Sequence, residues 1–104
     1  MESMKTLSED DAVELAEIFH LLGDPSRLRI VYACLGEPVN AGALAADLKL
    51  SPSLVSHHLR LLRAARILTS DRRGRHIFYA AEDDHIRDMV RDMAVHIKED
   101  HKVE

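Results

Sequence analysis

Apolar residues recur at helical spacing in four successive blocks, break into two short β-type runs, and return to helical spacing near the end of the chain. The first block opens at Ser8, a capping residue followed by Glu9, Asp10 and Asp11, acids suited to a first turn. Val13, Ala16, Phe19 and Leu22 then share one helical face, and Gly23 stops the helix. Asp24-Pro25 starts the second helix as a cap with Pro at the first helical position, and Leu28, Ile30, Val31, Ala33, Cys34 and Leu35 fill it before Gly36-Glu37-Pro38 ends it. Asn40 caps a short third helix carrying Leu44, Ala45 and Leu48, and Ser51-Pro52 starts a fourth that runs to about Ala65. Residues 67–70 and 76–79 read as strands joined by the hairpin loop Asp71-Arg72-Arg73-Gly74-Arg75. Asp83 or Asp84 then caps a last helix that continues to about Glu99.

Two helices joined by so short a turn, then a hairpin and a helix, describe a mainly α winged helix-turn-helix. Residues 1–104 are expected to form a single domain, with the helix-turn-helix at about 40–65, the wing at about 67–80 and the last helix at about 84–100. Aromatics are only 4% and there is no Trp, so the core must be built from Leu, Ile, Val, Ala and Met. A core that small favours oligomerisation. No apolar run approaches the roughly 20 residues of a membrane span. The N-terminus lacks a basic-then-apolar signal pattern, and a lone Cys34 suits a reducing cytoplasm.

The net charge of −4 argues against nucleic acid until its distribution is read. Between His57 and His76 six arginines face one acid, Asp71, a formal +5 that leaves −9 for the remainder. On a wheel of the fourth helix, Val55, Leu59 and Leu62 point to the core, and Ser53, Ser56, His57 and Arg60 lie opposite. The N-terminal half of such a helix reaches base edges in the major groove, where Ser donates or accepts and Arg60 can take a guanine edge or a phosphate. His57 and His58 can do either, depending on protonation. Arg72, Arg73 and Arg75 in the hairpin would reach flanking phosphates or the minor groove.

The segments LGDPSRLRIVYAC, LSPSLVSHHLRLLRAARIL and RRGRHIFYA resemble the ArsR/SmtB family of bacterial winged-helix repressors. The resemblance extends from about Leu15 to Glu99. It implies double-stranded DNA as partner and Ser53, Ser56, His57 and Arg60 as DNA-facing positions. Many relatives carry Gln where this chain has His58, whose role stays open.

The last helix bears a narrow apolar stripe of Ile86, Met89, Val90, Met93, Ala94 and Ile97, which reads as a seam to a second copy, to the first helix of the same chain, or to both. His85 and His96 lie eleven residues apart, on one face but about 16 Å apart along the axis, too far for one ion to join them within a helix. His96 and Glu99 can grip one ion, and Asp83 and His85 can grip another. Two such helices paired antiparallel in a homodimer would complete two sites, each with Asp83 and His85 from one chain and His96 and Glu99 from the other. The same four positions resemble the zinc-responsive branch of the family. The resemblance also implies that His96 donates to a main-chain carbonyl near Arg66.

Imidazole with carboxylate in a tetrahedral set suits Zn(II) or Co(II). His101 could extend the set to six, as in nickel- and cobalt-responsive relatives. The resemblance implies clustered cysteines in relatives that sense cadmium, lead or arsenite; here the ALAADL segment has none and Cys34 is alone, which disfavours soft metals. No HExxH or similar arrangement supports a metal hydrolase, so no enzyme activity is expected. The expectation is a repressor of an inverted-repeat operator, released by Zn(II). The alternatives are a nickel- or cobalt-responsive relative, or one that answers no metal.

Overall fold

Every helix described starts from a side chain that accepts a main-chain N–H three residues on. The computed structural model describes residues 5–102, with side chains described to Glu99. Ser8 Oγ accepts from Asp11 (3.1 Å), Asp24 Oδ2 from Arg27 (2.9 Å), Asn40 Oδ1 from Ala43 (2.8 Å), Ser51 Oγ from Leu54 (3.2 Å) and Asp83 Oδ1 from Ile86 (3.0 Å). These caps satisfy N–H groups that a helix start leaves unpaired. They begin α1 (Glu9–Leu22), α2 (Pro25–Ala33), α3 (Ala41–Leu48), α4 (Pro52–Ala64) and α5 (Asp84–Lys102).

The strands are β1 (Val39–Asn40), β2 (Leu68–Arg73) and β3 (His76–Ala81), antiparallel in the order β1-β3-β2. Two features of the sheet differ from the sequence expectation. The hairpin strands run further toward the tip, because Asp71, Arg72 and Arg73 pair with Phe78, Ile77 and His76. Only Gly74 and Arg75 remain as the turn, with Gly74 at φ 65°. A positive φ at the first central residue alone fits a type II′ turn, whose twist matches the flanking strands. The second difference is β1, which pairs Val39 with Tyr79 and Asn40 with Phe78.

The core gathers Ile30, Val31 and Cys34 of α2, Leu44 of α3, Val55, Leu59 and Leu62 of α4, and Ile67, Leu68 and Ala81 around the base of the wing. Burying each large aliphatic side chain stabilises the fold by about 1.5–3 kcal/mol. Lys49, at φ 58°, turns the chain between α3 and α4, and the Leu50 N–H returns to the Ala45 carbonyl.

α1 turns an unexpected face inward. Val13, Ala16 and Phe19 are exposed, while Leu21 and Leu22 are buried and Ile18 is half-buried. The side chain of Arg27 holds the end of α1, donating through Nε to the Leu21 carbonyl at 2.8 Å. Arg87 does the same for α5, donating through Nε to the Leu35 carbonyl at 2.9 Å while pairing with Asp84. The Ala81 N–H reaches the Cys34 carbonyl and the Glu82 N–H reaches the Ile67 carbonyl. No helix among the described residues is long and apolar enough to cross a membrane.

Candidate nucleic-acid interface and metal half-sites

The fourth helix separates its residues as the wheel predicts. Val55, Leu59 and Leu62 are buried, and Ser53, Ser56, His57 and Arg60 are exposed together. Pro52 and the Ser51 cap fix the first turn, so the N-terminal half of this face is held on a rigid element. Leu54, on that same turn, is also exposed.

His58 departs from its neighbour. It is 5% exposed and lies against α2, with Nε2 3.7 Å from Asp24 Oδ2, so it does not share the outward role open to His57. Its Nδ1 is buried without a hydrogen-bond partner. Burial pushes the imidazole pKa down, against the opposing pull of the Asp24 carboxylate. The Asp24 carboxyl is itself held below the usual carboxylate range, chiefly by the N–H of Arg27. Adjacent positions on a helix lie about 100° apart, which is enough to put His57 in solvent and His58 at the core edge.

The three wing arginines are not equivalent. Arg73 Nε donates to Asp71 Oδ2 at 3.1 Å, and its guanidinium lies 5.0 Å from the Phe78 ring centre. His76 meets the same ring edge-on at 6.5 Å. Asp71 and Arg73 are two apart on one strand and Phe78 pairs with Asp71, so the pleat collects them on one face. Arg72 pairs with Ile77 on the opposite face, and Arg75 sits in the turn. All three arginines are exposed. The tethering of Arg73 had no signal in the sequence short of the strand register.

At the head of α5, Asp83 divides its carboxylate. Oδ1 accepts the Ile86 N–H, and Oδ2 lies 3.7 Å from His85 Nδ1. The Ile86 N–H is the main cause holding this carboxyl below its ordinary range, and the His85 imidazole adds to it. The His85 side chain is 97% exposed. His96 and Glu99 are exposed one turn apart, near the other end of the helix. The structure therefore brings Asp83 and His85 together and keeps His96 and Glu99 as a separate pair. Among the described residues of this one chain, no three His, Cys, Asp or Glu side chains gather to hold an ion. The side chain of His101 lies outside the described residues. Asp83 and His85 line a cleft of about 460 Å³ with Glu14, Arg66 and Glu82, where α1, the end of α4 and the start of α5 meet.

The apolar stripe of α5 is shared. Val90 is buried and Ile86 and Met89 are half-buried against the core, whereas Met93 and Ile97 are exposed by 53% and 54%. Met93 and Ile97 line an apolar groove of about 580 Å³ with Phe19, Leu28 and Tyr32. Lys98 closes one side, its Nζ 3.4 Å from the Tyr32 hydroxyl.

Residues 24–70 match the family described as bacterial regulatory protein, arsR family. The chain is 40% identical over 95 residues to a transcriptional repressor SmtB homolog of Synechocystis sp., covering 91% of this chain and 72% of that protein. The cadmium metal-sensor CMTR from Mycobacterium tuberculosis superposes with a TM-score of 0.65 at 36% identity, over 74% of this chain and 80% of that one. A homodimeric winged helix-turn-helix DNA-binding domain, Mb0332 from Mycobacterium bovis, superposes with a TM-score of 0.82 at 17% identity, over 97% and 96% of the two chains. The fold is a winged helix-turn-helix, as the order of elements predicts.

Proposed function

The chain belongs to the arsR family of bacterial regulatory proteins, DNA-binding transcriptional regulators rather than enzymes, and from that premise we propose that it is a homodimeric repressor released from its operator by Zn(II). Ser53, Ser56, His57 and Arg60 read base edges, and Arg72, Arg73 and Arg75 take flanking phosphates. Two chains pair through α1 and α5, setting the recognition helices about 34 Å apart for an inverted repeat.

The observation that carries the metal reading is the Asp83–His85 pair at the exposed head of α5, with His96 and Glu99 on the same helix. Asp83 Oδ2 and the exposed imidazole are donors of the kind Zn(II) takes. Asp83 and His85 of one chain, with His96 and Glu99 of the partner subunit, would hold the ion. The ion supplies a cross-link whose differential affinity for the two dimer arrangements disfavours the DNA-bound one. Nitrogen and oxygen donors are favoured over sulfur because Cys34 is buried and its thiol is pushed up to about 12.

Titration of the purified protein with Co(II) tests this reading through visible absorption. Intense tetrahedral bands saturating at one ion per chain, displaced by Zn(II) and lost in His96→Ala, are expected. Zn(II) should then release the protein from a duplex that it selects out of a random-sequence pool. Weak octahedral bands would overturn the tetrahedral site in favour of a nickel- or cobalt-type site using His101. An absence of binding, or metal that leaves DNA affinity unchanged, would overturn the metal reading and leave the DNA-binding one standing.

A further inference from the structure

The large exposed apolar side chains of the described residues divide by location. All but two lie in the N-terminal segment or on α1, α2 and α5, the side that carries the apolar groove. The exceptions are Ile77 on the wing and Leu54 on the first turn of α4. Leu54 is 37% exposed. It lines neither the groove nor the cleft. The turn that bears it is fixed, because its own N–H donates to Ser51 Oγ at 3.2 Å. It stands about 60° around the helix from exposed His57 and about 40° from buried His58, between the polar face and the core.

More than a third of this leucine's surface meets water, beside polar neighbours. On the reading that this face enters the major groove, only one group on the base edges matches it. That group is the 5-methyl of thymine, the one apolar feature of the groove floor. Cytosine at the same place would set an amino group against the leucine without a hydrogen-bond partner. We infer that Leu54 reads a thymine through its 5-methyl group and so sets base preference at one position of each half-site.

This inference rests on α4 being the recognition helix, and one experiment separates the two. The full chain first selects a duplex from a random-sequence pool. Each thymine is then replaced singly by deoxyuridine, which removes the methyl and nothing else. Dissociation constants are measured by fluorescence anisotropy at fixed salt. At one thymine per half-site the replacement should weaken the wild-type protein about fourfold, the worth of one buried methyl. The Leu54→Ala variant should bind the thymine and uracil duplexes equally. The ratio of two duplexes on one protein sample is independent of the fraction folded, so a destabilised variant still gives a reading. A uracil effect that survives in Leu54→Ala, or no thymine with any such effect, overturns the inference while DNA reading stands. Selection of no preferred sequence overturns the premise and the inference with it.

Discussion

The His58 imidazole is the buried titratable group with the plainest consequence for pH. Its folded pKa lies below the ordinary 6.5, because burial penalises the charged ring more than Asp24 favours it. The folded state therefore binds fewer protons than the unfolded state in that range, so stability rises with pH there. The contribution is fully present above about pH 6.5 and is lost as pH falls through the folded value. Urea midpoints should drop between pH 7.5 and pH 5.5, and His58→Gln should flatten that drop. An equally steep drop in the variant would place the titration elsewhere. The sequence left this residue's role open for a physical reason. Caps such as Ser8, Asn40 and Ser51 are local, one side chain reaching three residues along, and can be read directly. The charge partner of His58, Asp24, is the cap of another helix, 34 residues away in the chain.

Among the elements, α4 was legible because one strong apolar stripe with a polar face opposite fixes its rotation. The wing was legible in kind but not in length. Asp71, Arg72 and Arg73 read as loop residues from their polarity, yet they pair in register because an exposed ladder needs no apolar side chains. β1 has two residues, too few for any period to show. On α1 Val13, Ala16 and Phe19 face outward while Leu22, at the same spacing, is buried, since a single chain can bury only one side of most of that helix. The arginine assignments can be separated by salt. Arg72→Ala should lower affinity evenly across DNA sequences and reduce the slope of log K against log salt by about 0.9 for each phosphate that Arg72 neutralises. Anisotropy titrations between about 50 and 200 mM salt measure this. An unchanged slope would show that Arg72 does not face phosphate.

For the whole molecule, the groove beside α1, α2 and α5 is the surface that the proposed dimer would cover. In a two-fold interface each substitution is felt twice, so Ile97→Asp should shift the protein from dimer to monomer in sedimentation velocity and weaken DNA binding with it. An unchanged sedimentation coefficient would show that Ile97 lies outside the seam. The stripe was readable from spacing. The spacing also places the four candidate ligands as two pairs three turns apart, which cannot meet within one helix, so the proposed site needs a second chain. The joints within one chain follow a different logic. α1, β3, β2 and α5 are fastened through the carbonyls of Leu21, Cys34, Ile67 and Leu35. A carbonyl is the same in every amino acid. Those four positions can therefore drift in evolution, within the limits of volume and burial, without erasing the acceptors. Only Arg27 and Arg87 must keep their side chains for the fastening to be inherited.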